Sequence, residues 1–339
     1  MKLHRNRRAA GTLASALALT LVLGACGSDD GGDEGSNDDA AAEDEGSDDE
    51  AADDTGSDDA ADDSADDTEA GGEGAGGEAS GTITMGFIPS WTDGLSTAYL
   101  LEHLLEEQGY DVEMETLTEA GPLYTALANG DVDMYPSAWP EVTHANYMEE
   151  YGDQVEDLGA YYPNAKLTFA VPEYSDITSI AELPDHVDEL GGEIIGIEPG
   201  AGLTGVTKDS VMPTYGLDDF TLVESSTTAM LAQLKDATDN EEPIVVTLWR
   251  PFWANSAFPV KDLEDPEGAL GEAEALHFLG TKGFAEEFPE AAELIGGIEL
   301  DDEQYGALED MVVNEYGEGK EAEAIDAWLE EYPDVIPVP

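Results

Sequence analysis

The sequence predicts an α/β fold in two lobes. Each lobe is expected to be a mostly parallel sheet flanked by helices, with a ligand cleft between the lobes. Two observations carry this. Short apolar runs alternate with helical periodicities, and the alternation occurs twice, over spans of about 90 to 110 residues that suit one lobe each. Three tryptophans, Trp91, Trp139 and Trp249, stand where predicted strands run out into loops. That is the end of an open α/β sheet at which ligands bind.

The first unit opens with an apolar strand over 82–87. A helix follows over 95–108, with Leu101, Leu104 and Leu105 on one face and Gly109 as its stop. Residues 111–117 read as the next strand, 122–129 as a short helix closed by Gly130, and 131–135 as a strand running into Trp139. This is a βαβαβ order. The second unit repeats it, with strands over 193–197 and 220–223, a helix over 227–235, and a very apolar strand over 243–248 that ends at Trp249. Between its first strand and the next, Gly200-Ala201-Gly202-Leu203 opens a helix. The tail, 301–332, has a helical pattern. The chain is expected to change lobe near 169–173 and to return near 277–279. The divisions are therefore 81–172 for lobe 1, 173–276 for lobe 2, and a C-terminal segment, 277–339, that returns to lobe 1.

The N-terminal residues are read as targeting rather than fold. Lys2, Arg5, Arg7 and Arg8 precede an apolar stretch over 9–25 that ends in small residues, as a cleaved signal peptide (1–25) does. Leu23-Gly24-Ala25-Cys26 resembles the lipobox of bacterial lipoproteins, which implies that Cys26 becomes the lipid-modified first residue. It is the only cysteine, so no disulfide forms within the chain and a thiolate metal cluster is not expected. Residues 27–80 contain 23 acids, no base and no aromatic residue. Such a segment buries too little apolar surface to offset its ordering entropy, and 26–80 is expected to be a lipidated, disordered acidic tether. It lacks an EF-hand calcium loop.

Residues 81–339 carry 56 acids against 7 bases. This excludes nucleic-acid binding, which needs a basic footprint. Charge of that size opposes a compact state by self-repulsion unless salt screens it, so the domain is expected to work in a salty exterior.

Several indole faces around one cleft make an electron-rich box that attracts a cation with no N–H to donate. Gly202 and Leu203 sit at a predicted helix N-terminus, where free N–H groups and the dipole favour an anion. Small residues at 200–202 let backbone approach a ligand closely.

Five stretches, G-F-I-P-S-W-T-D, L-A-N-G-D-V-D, S-A-W-P-E-V-T-H, G-I-E-P-G-A-G-L and L-W-R-P-F-W, resemble the substrate-binding proteins of ABC importers for quaternary amines, the glycine betaine and choline binders. The resemblance covers essentially all of 82–339. It implies a type II periplasmic-binding-protein-like fold and no enzymatic activity. It implies a ligand such as glycine betaine, proline betaine or choline, and an ABC permease with its ATPase as partners. No cofactor or metal is implied, and the chain is expected to be a monomer anchored to the membrane by its lipid. In the betaine binders three tryptophans form a prism around the trimethylammonium, and the matching positions are Trp91, Trp139 and Trp249. There, backbone amides and a His five residues after a box Trp hold the ligand carboxylate. The matches are Gly202, Leu203 and His144. One feature departs from that pattern. Asp93, two residues after Trp91, is similar to an Asp that meets the hydroxyl in choline binders, although the Asn that partners it has no clear match in 199–205. Asp93 thus points to a hydroxyl or to the cation itself. Trp253 is assigned to the site wall, Trp328 to an amphipathic helix, and His103 and His186 to the surface. His277 has no assigned role.

An exported hydrolase is the first rival, but the chain has no G-x-S-x-G elbow and no H-E-x-x-H motif. A lipid-anchored sensor or adhesin ectodomain is the second, and it would leave the tryptophan set and the anion turn idle.

Overall fold

The computed structural model describes residues 81–335. The signal peptide, Cys26 and the acidic tether lie outside the described residues. The first elements follow the predicted order. They are β1 (Thr82–Phe87), α1 (Thr92–Gln108), β2 (Asp111–Thr116), α2 (Ala120–Asn129), β3 (Met134–Ala138) and α3 (Ala145–Tyr151). α1 buries Leu100, Leu101, Leu104 and Leu105 and ends where Gly109 takes φ 101°, a left-handed cap that a side chain would strain. It starts three residues before the apolar periodicity does. Its first two turns bury the polar residues Thr92, Asp93, Ser96 and Thr97, which hydrophobic spacing cannot detect. β3 starts later than 131, because Asp133 turns its carboxylate onto the Thr84 N–H (2.7 Å).

A long strand, β4 (Val155–Pro172), then crosses the molecule. Up to Ala165 it pairs with β9 (Glu274–Thr281), and from Lys166 onward with β7 (Val246–Arg250) and β8 (Val260–Asp262). The second half contains β5 (Glu193–Ile195), α4 (Gly202–Val206), α5 (Met212–Tyr215), β6 (Thr221–Val223), α6 (Thr227–Asn240) and α7 (Ala254–Ala257). A wide helical segment, Thr207–Val211, joins α4 to α5. The chain closes with α8 (Phe284–Glu287), α9 (Pro289–Gly296), α10 (Asp302–Asp310) and α11 (Glu321–Glu331). Helices α9, α10 and α11 pack on α1.

The sheet order is β2-β1-β3-β9-β4-β7-β5-β6, with β8 on β4. β1 pairs in parallel with β2 and β3, and β5 with β6 and β7, as the βαβ alternation predicts. β4 and β9 add antiparallel pairs, so the full sheet is mixed. The apolar pattern does not announce these two strands. β4 carries Gly159, Pro163 and Asn164, and its register with β9 shifts three times, which breaks the period-two alternation. Trp249 also lies inside β7 rather than beyond it. Among the described residues no helix is long and apolar enough to cross a membrane.

Candidate functional site

The β1–α1 turn, the loop after β3, the end of β7 and the start of α4 meet at one point. A cavity lies there. Trp91, Trp139, Trp249, His144, Gly202, Leu203 and Asp93 all line it, together with Thr143, Leu167, Ile197 and Ala201. The seven residues singled out in the sequence are thus brought together, from segments more than 150 positions apart.

The placement of each follows from its element. Trp91 is the N-cap of α1, and Asp93 sits in the first turn of that helix. Trp139 directly follows β3, and His144 is the N-cap of α3. Trp249, within β7, stacks on Phe252, with centroids 4.0 Å apart and planes 19° apart. Trp253 meets Phe252 edge-on at 5.9 Å, so it backs the wall through Phe252 and does not line the cavity. Trp328 is fully buried on α11, its Nε1 donating to the Gln304 carbonyl at 2.9 Å. His103 and His186 pair with surface acids, and His277 with Asp157 and Glu141, all away from the cavity lining.

Two indoles are held by carboxylates. The Trp139 Nε1–H donates to Asp93 Oδ2 (3.2 Å), which also accepts from Ser137 Oγ (2.7 Å). The Trp91 Nε1–H donates to Glu198 Oε2 at 3.1 Å. The Trp249 Nε1–H has no partner among the described residues. Burial raises the Asp93 pKa, and the hydrogen bonds from Ser137 and Trp139 oppose that rise. Glu309, on α10, accepts from Thr92 Oγ1 at 2.7 Å. Burial, and then the charge of Asp93, push its pKa up to about 8. None of the residues lining the cavity is Lys or Arg. Aromatic faces backed by acids favour a cation and repel an anion on that side.

The cavity also carries donors, His144 among them, its ring stacked 6.3 Å from that of Trp91. His144 is buried, and desolvation lowers its pKa to about 3, so the ring is neutral. Its Nδ1 accepts the Trp139 backbone N–H (3.1 Å) and lies 3.1 Å from Tyr124 Oη. A backbone N–H can only donate, so Nδ1 is bare and the ring proton sits on Nε2. Among the described residues Nε2 has no hydrogen-bond partner. Gly202 and Leu203 begin α4, where N–H groups lack an intrahelical acceptor, and Ala201 adds no side-chain cap. A Cβ on Gly202 would lie 1.9 Å from the Thr143 carbonyl oxygen. Only glycine lets the His144 loop seat against α4. That loop is itself fixed by Glu274, whose carboxylate accepts the N–H groups of Glu141, Val142 and Thr143 (2.9–3.1 Å) and the Thr143 hydroxyl.

Sequence reasoning missed Glu198, Glu274 and Phe252. Glu198 sits inside the G-I-E-P-G stretch, just past a strand end, and that position was its only signal. Glu274 lies on a strand the periodicity did not reveal.

A family model described as the substrate binding domain of ABC-type glycine betaine transport systems matches residues 81–331. A glycine betaine/carnitine transport binding protein of Listeria monocytogenes is 34% identical over 157 residues, 45% of this chain and 50% of the relative. The match thus spans about half the length of that relative. Two solved structures are similar over the folded part. Lactococcal OpuAC, closed on glycine betaine, is 29% identical with a TM-score of 0.69, covering 75% of this chain and 96% of that one. A choline binding protein of an ABC transporter, in complex with choline, is 27% identical with a TM-score of 0.68, covering 75% and 89%. The fold is that of the type II periplasmic binding proteins.

Proposed function

The chain belongs to the family of substrate-binding domains of ABC-type glycine betaine transport systems, and from that premise we propose how it works. It captures glycine betaine, or a related quaternary ammonium osmoprotectant such as proline betaine, outside the cytoplasm. It then delivers the ligand to a permease driven by a separate ATPase. It performs no catalysis.

One observation carries this reading: a single cavity is lined both by three indoles and by His144 and the start of α4, whose N–H donors have no partner among the described residues. A trimethylammonium is bulky, poorly hydrated and donor-less, so carboxylates cannot hydrogen-bond it, whereas ring faces contact its methyl groups from all sides. Each such face contributes about 0.5–2 kcal/mol, not additively. Trp91, Trp139 and Trp249 form the cation box. The ligand carboxylate accepts from His144 Nε2 and from the backbone N–H groups of Gly202 and Leu203. A neutral imidazole suffices, in keeping with the low pKa of His144.

Asp93 favours a second reading, choline. It lines the cavity and carries a carboxylate that a hydroxyl would meet. In the betaine reading it orients Trp139 and adds negative potential behind the box. Its Oδ2 already accepts two hydrogen bonds, which supports that role.

Lobe 1 comprises 81–172 and the returning segment 277–339, and lobe 2 comprises 173–276. They open about the crossing strands and close on the ligand, because only the closed state completes the box. Cys26 anchors the chain to the membrane as a lipoprotein, and the acidic tether spaces the monomeric domain from the surface. Thermal shift against glycine betaine, choline, carnitine and ectoine tests the reading. A rise in melting temperature is expected, largest with betaine. No shift with any of the four contradicts transport of this ligand class.

A further inference from the structure

Glu198 accepts four hydrogen bonds beside the cavity, as many as Glu274 does, yet it is not part of the lining. It lies between β5 and α4 and is buried. Oε1 accepts the Thr227 N–H (2.9 Å) and Ser90 Oγ (3.3 Å). Oε2 accepts Thr227 Oγ1 (2.8 Å) and the Trp91 indole N–H (3.1 Å). The two bonds from Thr227, the first residue of α6, come from the same half of the molecule as Glu198. A further bond, from Thr204 Oγ1 to the Glu198 carbonyl (2.9 Å), fixes its backbone there. The two bonds from Ser90 and Trp91 come from the β1–α1 turn in the other half. Trp139, by contrast, is held by Asp93 from its own half, and Trp249 has no bond at its Nε1.

We propose that Glu198 is a positioning residue that reaches across the cleft to fix the Trp91 ring, so that one wall of the cation box sets only when the two halves meet. A carboxylate accepting an indole N–H also shifts electron density onto the ring, which deepens the potential at its face. Because the bond forms at closure, it slows ligand dissociation and leaves association nearly unchanged. This inference rests on the cation-box reading above.

The experiment is a double-mutant cycle read by glycine betaine titration and stopped-flow kinetics on the wild-type protein, Glu198→Gln, Trp91→Phe and the double variant. In the wild-type background Glu198→Gln is expected to weaken binding by about tenfold or more, through a faster off-rate, as for loss of a buried charged hydrogen bond. With Trp91→Phe, which lacks the indole N–H, the same change is expected to cost about twofold or less. Equal losses in both backgrounds overturn the proposal and make Glu198 a structural cap of α6. Absence of betaine binding by the wild-type protein overturns the cation-box reading itself, and the proposal with it. A second variant, Ser90→Ala, removes a cross-cleft donor without touching the box. It is expected to speed dissociation by about threefold with the ligand-free melting temperature unchanged. An unchanged off-rate counts against the latch.

Discussion

At the scale of single residues, two kinds of polar group serve the cavity. Asp93 and Glu198 accept from indole nitrogens, whereas His144 presents a donor. Its neutral state is set by burial, and the bond from the Trp139 N–H fixes which nitrogen carries the proton. This gives a discriminating test. His144→Ala removes a donor that a carboxylate uses and a hydroxyl can do without. Betaine affinity is expected to fall by about 10- to 100-fold, the range for a hydrogen bond to a charged group, and choline affinity by about threefold or less. Isothermal titration with both ligands measures this, and equal losses contradict the assignment of His144 to the carboxylate. The residues legible in the sequence were those with unusual chemistry at a strand end, the tryptophans and His144. Glu198 and Glu274 escaped because, in a chain with 79 acids, position alone marks few of them until their hydrogen bonds are seen.

At the scale of elements, the site depends on the close approach of two backbones. The loop after β3 touches the start of α4 at Gly202, where a methyl group would overlap the Thr143 carbonyl. Gly202→Ala suits the helix but blocks that approach. Betaine binding is expected to weaken by about tenfold or more, as overpacking costs about 1–3 kcal/mol. The ligand-free melting temperature is expected to change little. A variant that binds as the wild type does would show that the loop moves aside freely. The helices and the strands of the two parallel sets were readable because their apolar spacing is regular and Gly109 and Gly130 mark helix ends. β4 and β9 were not. Bulges break the alternation along β4, and pairing between strands so distant in sequence leaves no local trace.

At the scale of the whole molecule, charge and architecture act together. In 81–339 the acids outnumber the bases 56 to 7, and charge of one sign at that excess repels itself. Salt shortens the range of that repulsion to about 3 Å at 1 M, so the melting temperature is expected to rise with NaCl concentration. A flat or falling curve, followed by circular dichroism, would show that the acids are already compensated within the fold. The long strand β4 joins the two parallel sets of strands, and residues from both sets line the cavity. The proposed capture by closure is in keeping with that layout, because neither half alone supplies all three indoles and the α4 residues. The most direct test of this account is a crystal structure with glycine betaine bound. The account predicts the quaternary nitrogen within about 6 Å of the ring centroids of Trp91, Trp139 and Trp249, with the carboxylate on His144 Nε2 and the Gly202 and Leu203 N–H groups. A ligand found with its cation outside the three indoles, or with its carboxylate turned away from α4, would contradict it.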